Sequence, residues 1–460
     1  MKPLPIEDVR QAVRGRWVAP ASSATVLRVT TDSRDTQAGD LFVALRGPRF
    51  DGHAFLSAAA AGGCVAAIVD RTAEVDSDVA LAFGGGVIGV ADTTGALGDL
   101  SAWYRRHVPA RVIAVTGSNG KTTVKEMIHA VLSARWTGSR NIKSFNNSIG
   151  LPLTLLGAHP GDDYVVCEVG TNAPGEIAAL AKIAAPDIAV ITSVAEAHLE
   201  GLGSIEQVVA EKASILGAVG DDGVAVVWAD NDLLTRAAGH YGVRCITFGV
   251  SDEADLRLTG YAPSGRGSRF QVNGHLWVDL PLPGRHNALN ALSALAVARR
   301  LGMDEAAAAE ALAAAPPVAM RTEWIDAGGV TIINDAYNAN PASVLAAADV
   351  LAEAPAMRRV MLVGDMCELG PRSRELHEQT GAELARRGVD LLIGVGPLGR
   401  YIARGAASDA TATAECDSPD AAADQAPPML RDGDVVLIKG SRATGMEALV
   451  EPIQRAFKDE

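Results

Sequence analysis

Short apolar runs recur along this chain, separated by stretches whose apolar residues share one helical face. The alternation is most regular after residue 92. There "RVIAVTG" reads as a strand and "KTTVKEMIHAVLSARW" as a helix. "DYVVCEVG" is the next strand, and "PGEIAALAKIAA" a helix opening with proline. "DIAVITSV" follows as a strand, then "SIEQVVAEKASILGAV" as a helix, with Ser204 and Gln207 at capping-box spacing. "GVAVVWAD" and "RCITFGV" add two more strands. A strand buried on both sides has no polar face to show. Near-continuous apolar strands between helices therefore predict a parallel sheet covered on both faces.

The rhythm breaks over 255–283, where "RLTGYA", "SRFQV" and "LWVDLPL" predict antiparallel additions. Helices "RHNALNALSALAVARRLG" and "DEAAAAEALAAA" then close the unit at Pro316–Pro317. Residues 1–91 mix short strands such as "DLFVALRG" with helices such as "HAFLSAAAAGG". "DTTGALGDLSAWYRRHVPA" predicts a helix with an acidic start and a basic end, matched to the helix dipole and stopped by Pro109. The first boundary is placed near Asp92. After 317, "VTIINDAY", "RRVMLVGDM", "DLLIGVG" and "DVVLIKGS" are strands with helices between them. The pattern thus predicts an α/β chain in units 1–91, 92–317 and 318–460, the central one built on a mostly parallel sheet. Ligands of such folds bind at the carboxyl ends of strands and in interdomain clefts.

Composition narrows the function classes. The chain has 460 residues, 48% of them hydrophobic, enough for cores in two or three domains of roughly 150 residues. No repeat of fixed period is present. A net charge of -14, without blocks of like charge, argues against nonspecific nucleic-acid binding. The five cysteines are scattered and form no CxxC pair, which favours free thiols in a reducing cytoplasm. "MKPLPIEDVRQAV" lacks the apolar core of a secretory signal, and no apolar run is long enough to span a bilayer.

Candidate chemistry begins at "IAVTGSNGKTTVKEM". The usual phosphate loop has a glycine five residues before Gly120, but Val115 stands there. What remains still suits a phosphate. Glycines let backbone N–H groups approach anionic oxygens, and the following helix start adds its dipole. Lys121 can reach the terminal phosphates, and the Thr122 hydroxyl can ligate Mg²⁺.

Glu168 ends the next strand, at the same carboxyl edge, and its carboxylate suits a hard cation as well as plain solvent. His198 lies in the following edge loop, where a histidine is equally at home as a cap. Lys212 sits mid-helix in "VVAEKASIL"; read alone it is an exposed lysine paired with Glu211 or Glu206. Only as a carbamate can it become an anionic oxygen ligand. Asn287 and Asn290 share one helix face and can present amides to a base, or Asn287 can cap the helix. Arg321, after the proline link, can stabilise a transferring phosphoryl group or form an interdomain ion pair. "NDAYNANP" is a polar turn carrying Asp335. "KGSRATGME" offers Lys439 and Arg442. In the first unit, "TDSRDTQAGDLFVALRGPRFDGHAF" gathers Ser33, Arg34, Arg46, Arg49, Asp51 and His53 in polar loops around a strand.

Together these segments resemble the Mur ligase family, ATP-dependent amide-bond-forming enzymes of peptidoglycan precursor synthesis, over essentially the whole chain. The family's loop has the form "TGxNGKTT", without the first glycine. The strand-end Glu, the loop His, the helix Lys, the "HNALN" helix start, the Arg after the link and the Asp of "NDAY" follow in the family's order. "NNSIGLPLTLL", "DAYNANP" and "GDMCELG" are similar to the branch that adds D-alanyl-D-alanine to UDP-N-acetylmuramoyl-tripeptide.

The resemblance implies a UDP-sugar domain, a P-loop ATPase domain and a Rossmann-like domain, in a cytoplasmic, monomeric enzyme. It implies ATP bound by Thr116, Gly117, Ser118, Asn119, Gly120, Lys121, Thr122, Thr123, Asn287, Asn290, Arg321 and Asp335. It implies one Mg²⁺ on Thr122 and Glu168, and a second on His198 and carbamylated Lys212. Ser33, Arg34, Arg46, Asp51 and His53 would lie near the uridine diphosphate. Asn146 and Asn147 would meet the substrate between domains, and Asn338, Asn340, Asp365 and Lys439 would lie near the dipeptide or nucleotide. Rival readings are the sister ligase that adds the third residue, folylpolyglutamate synthase, and a P-loop kinase or nucleotide-binding regulator. The "TDSR…DGH" segment separates the UDP-sugar branch from the folate enzyme.

Overall fold

The computed structural model describes residues 1–19, 23–48, 50–141, 145–408 and 410–458. Arg49 lies outside the described residues. The central unit is a nine-stranded sheet. Its spatial order is Gly138–Arg140, Tyr164–Glu168, Arg111–Thr116, Ile188–Ile191, Val224–Trp228, Cys245–Gly249, Leu256–Ser264, Gly267–Val272 and Leu276–Leu280. The first seven strands run parallel, and Gly267–Val272 alone runs against them, pairing antiparallel with the strands on both its sides; of the three antiparallel additions expected over 255–283, the first, Leu256–Ser264, joins Cys245–Gly249 in parallel. The covering on both faces is visible within one strand. Val112 and Ala114 point into one core, while Ile113 and Val115 point into the other with Val124 and Ile128. Val115 therefore fills a core position at the place where other phosphate loops carry a glycine.

The chain leaves Arg111–Thr116 toward one side of the sheet and returns on the other at Ile188–Ile191. That reversal opens a crevice at the carboxyl edge, the usual place for a ligand in an open α/β sheet. The C-terminal unit repeats the device. Its order is Glu323–Ala327, Val330–Asn334, Asp434–Lys439, Arg358–Val363, Leu391–Val395 and Ala412–Cys416, with only the first strand antiparallel. Here the last strand of the chain inserts between Val330–Asn334 and Arg358–Val363. The N-terminal unit is a five-stranded sheet in the order Arg16–Ala19, Val87–Val90, Ala66–Asp70, Asp40–Val43 and Arg28–Thr30.

Local departures from the sequence reading have local causes. Glu323–Ala327 and Ala412–Cys416 are edge strands, half exposed and carrying charges, so they lack the apolar signature of the buried strands. The helix after Pro174 begins two residues later, at Glu176, because Gly175 takes the left-handed backbone at its N-cap. The helix that opens at Ser204 holds α geometry only to Ala213 and then tightens into a 3₁₀ turn. There the Ser214 hydroxyl donates back to the Glu211 carbonyl at 2.7 Å. All five cysteines are free. Among the described residues no helix is long and apolar enough to cross a membrane.

Candidate active site

The two crevices face each other and enclose a cavity of about 880 Å³. Its floor is the phosphate loop. Gly117 has φ 147°, and a Cβ there would lie 2.1 Å from Thr192 Oγ1; the loop is pressed against the neighbouring strand end. Gly120 has φ 81° and caps the helix Lys121–Ser133, whose first-turn N–H groups open toward the cavity. Loop residues also bind each other. Ser118 N donates to the Ser193 carbonyl and Asn119 N to Ser193 Oγ, so these two amides are already engaged. Lys121 Nζ donates to the Gly117 carbonyl at 2.8 Å. Burial of its ammonium pushes the Lys121 pKa down; Glu168 opposes the shift and Arg321 adds to it.

Glu168 is 2% exposed and fully engaged. Its Oε2 accepts from Thr122 Oγ1 and its Oε1 from Asn146 Nδ2, both at 2.8 Å. Its amide donates to Asn141 Oδ1 at 3.0 Å, and the Asn141 carbonyl accepts from the buried Lys125 Nζ at 3.0 Å. Neither Asn141 nor Lys125 stands out in the sequence. Their signal is the lysine four residues after Lys121, on the face of the helix that turns inward.

Lys212 departs from the exposed, paired reading. It is 0% exposed, and its Nζ has no hydrogen-bond partner. Glu211 cannot serve it, because that carboxylate accepts from the Gly175 and Ile177 amides at 2.7 and 2.8 Å. Burial, then repulsion from Lys121, pushes the Lys212 pKa well below the ordinary lysine value. It stands behind the cavity lining rather than in it. His198 lines the cavity, and its Nδ1 lies 2.5 Å from Glu368 Oε2 of the third domain. That hydrogen bond is the main reason the Glu368 carboxyl titrates below its ordinary value.

The third domain closes the cavity. Arg321 Nη2 donates to Thr122 Oγ1 at 3.0 Å, and its guanidinium stacks 4.3 Å above the Tyr337 ring. Met320 and Thr322, on either side, both have positive φ, 56° and 54°. For a β-branched residue such as Thr322 this is strained backbone. It is held by Thr322 N donating to Asp335 Oδ1 at 3.1 Å and Met320 N donating to Glu323 Oε2 at 3.0 Å. Asp335 Oδ2 also pairs with Lys439 Nζ at 2.5 Å, and Lys439 is 3% exposed. Asn340 caps the helix Pro341–Glu353 and exchanges side-chain hydrogen bonds with Asn119 of the loop, at 2.8 and 3.3 Å.

The other expected residues divide. Asn146, Asn147, Asn287, Asn290, Asn338 and Arg442 line the cavity. Asn287 does not cap its helix, since Gly284 does; its Nδ2 donates to the Pro283 carbonyl and its Oδ1 accepts from Asn290. Asn147 Oδ1 accepts from the Ile149 and Gly150 amides, at 3.1 and 2.9 Å, where the helix Gly150–Leu156 begins. Asp365 is outside the lining, with its Oδ1 accepting from the Leu398 and Gly399 amides, both at 2.8 Å.

The first-domain group forms its own cluster. Arg46 bridges Asp51 and Asp70, at 3.0 and 3.2 Å. His53 Nε2 accepts from the Asp70 amide, which leaves the proton on Nδ1 facing Asp51 Oδ1 at 2.5 Å. Arg34 is exposed and paired with Asp32, and Ser33 lies beside it.

The donor set constrains a metal. Among the described residues no three His, Cys, Asp or Glu side chains gather as a metal nest. Thr122 Oγ1 and Glu168 Oε2 are hard oxygen donors already side by side. They suit Mg²⁺, which keeps waters and substrate phosphates in its shell and needs few protein ligands.

Comparison with known proteins accounts for all three units. Residues 115–298 match the Mur ligase middle domain, 320–442 the Mur ligase glutamate ligase domain, and 25–108 the Mur ligase family catalytic domain. A Bacillus subtilis protein named UDP-N-acetylmuramoyl-tripeptide--D-alanyl-D-alanine ligase is 35% identical over 97% of this chain and 98% of its own. The Escherichia coli protein of the same name is 38% identical over 94% of each. Among solved structures, MurF from Acinetobacter baumannii superposes with a TM-score of 0.90 at 31% identity over 99% of both chains. The Thermotoga maritima MurF ligase in complex with ADP gives 0.83 at 29% identity, over 94% of this chain and 98% of that one.

Proposed function

The chain belongs to the Mur ligase family. From that premise we propose that it joins D-alanyl-D-alanine to UDP-N-acetylmuramoyl-tripeptide, with cleavage of ATP to ADP and phosphate. One observation carries the reading: relatives named for this activity align along nearly the whole chain, the first domain included. That domain separates it from the folate enzyme. The setting is cytoplasmic peptidoglycan precursor synthesis, and the chain works as a monomer.

Two anions must meet, a peptide carboxylate and a triphosphate, and the enzyme's task is to neutralise and align them. The loop and the start of the helix Lys121–Ser133 take the phosphates. Lys121 leaves the Gly117 carbonyl for the terminal phosphates, and Arg321 approaches the same oxygens from the other domain. Mg²⁺, held by Thr122 and Glu168, supplies further charge neutralisation when bound. The substrate carboxylate attacks the γ-phosphorus and ADP leaves, giving an acyl phosphate. The dipeptide amine attacks the acyl carbon, and phosphate departs as the amide bond forms. Asn287 and Asn290 serve adenine, while the Asp335–Lys439 pair serves the ribose and the incoming dipeptide.

Lys212 fits a carbamate. Its amine is buried, unpartnered and biased toward the neutral form that adds CO₂, and the product would be an anionic oxygen ligand beside His198 for a second Mg²⁺. The test of the ligase reading is ADP and phosphate release with UDP-tripeptide, with and without D-alanyl-D-alanine. Release that does not depend on the dipeptide overturns it.

A further inference from the structure

His198 and Glu368 meet across the boundary between the second and third domains. Their side chains are 2.5 Å apart, Nδ1 to Oε2. Their backbones are tied too, since the Glu200 amide donates to the Glu368 carbonyl at 3.0 Å. An outer ion pair, Arg372 to Glu196 at 3.0 Å, spans the same seam. Neither His198 nor Glu368 is glycine, yet both have positive φ, 56° and 63°. Left-handed backbone in residues with a Cβ persists only where the surroundings hold it. Both residues line the same cavity. Among the described residues, Glu368 is the only side chain hydrogen-bonded to the His198 ring.

Which imidazole nitrogen carries the proton is set by the hydrogen bond the other one makes. We propose that Glu368 is a positioning residue for His198: when the third domain closes, its carboxylate accepts a hydrogen bond from Nδ1–H, which fixes the ring and leaves Nε2 as the lone-pair nitrogen. A carboxylate behind an imidazole fixes the ring's orientation and raises its strength as a ligand. His198 alone, in the second domain, is half of the device, and domain closure supplies the other half. The inference rests on the ligase reading above.

The test uses the full chain, ¹⁵N-labelled, with ADP, without Mg²⁺ for the tautomer and with Mg²⁺ for turnover. Long-range ¹H–¹⁵N correlations read the ring nitrogens of His198, assigned with His198→Asn. The Nδ1–H tautomer is expected in the wild type and in Glu368→Gln, whose amide oxygen still accepts, and is lost in Glu368→Ala. In turnover, Glu368→Ala lowers apparent Mg²⁺ affinity or kcat by about 10–100-fold. The KM for the UDP substrate stays unchanged, and Glu368→Gln recovers most of the loss. An unchanged tautomer in Glu368→Ala, or an imidazolium in the wild type, overturns the proposal. ADP release independent of D-alanyl-D-alanine in the wild type would instead overturn the ligase reading, whatever the tautomer.

Discussion

Lys212→Met separates stability from catalysis at one atom. The lysine amine is fully buried without a hydrogen bond. A buried polar group in that condition costs about 1–3 kcal/mol. Methionine is unbranched, of similar length, and adaptable enough to occupy the same buried space. In bicarbonate-free buffer the variant should therefore be more stable than the wild type by about 1–3 kcal/mol. For a domain of this size that is roughly 2–12 °C in Tm, followed on the central-domain transition.

The pH dependence has a definite sign. The folded pKa of Lys212 lies well below its unfolded value, so folding is penalised most when the amine must be charged, at low pH. The penalty shrinks as pH rises toward the ordinary lysine value, and the advantage of methionine should shrink with it. Ligation should fall at least 100-fold, about 2.7 kcal/mol at the transition state. Bicarbonate should raise the Tm of the wild type and leave Lys212→Met unmoved. Thermal scans with and without bicarbonate, beside a turnover assay, read all of this. A variant less stable than the wild type without bicarbonate, or one that ligates at the wild-type rate, refutes the reasoning.

Lys121→Ala should cut turnover about 10²–10³-fold or more, and near-normal ligation would remove the loop from the mechanism. Because burial lowers the Lys121 pKa, the phosphates of ATP should raise it again, so any proton exchange on binding should be uptake that grows with buffer pH, measurable by calorimetry in buffers of different ionisation enthalpy. Arg321→Ala should lower kcat more than it weakens ADP binding, since its charge acts mainly on the transferring phosphoryl group; equal losses in both would contradict that. Asn340→Ala removes a helix cap and the link to Asn119, and should cost about 1–2 kcal/mol in third-domain stability by denaturant titration. An unchanged midpoint would mean the cap is idle.

The buried parallel strands were legible because burial on both faces leaves an unbroken apolar run, as at "RVIAV" and "VVLIK". The edge strands Glu323–Ala327 and Ala412–Cys416 were not, since one exposed side mixes charges into short runs. The phosphate loop was legible from order alone: strand, glycine turn, lysine, helix. The engagement of individual amides was not. Asn340 lies in a turn that sequence can only call polar and Asp365 in the loop after a later strand, and the structure commits both to helix N-termini. Lys212 shows the same limit more sharply. Chain adjacency places it next to Glu211, but only the three-dimensional packing reveals that Glu211 faces the amides of Gly175 and Ile177. Glu368 was hidden because its partner is 170 residues away.

The reciprocal amides of Asn119 and Asn340 have a consequence for inhibition. They hold the floor and lid of the cavity together with neutral groups at this one point, although charged side chains cross the same seam at Arg321, Glu368 and Arg372. An uncharged molecule with one donor and one acceptor at amide spacing could wedge there. It would keep Arg321 from the phosphates while resembling neither ATP nor a muropeptide.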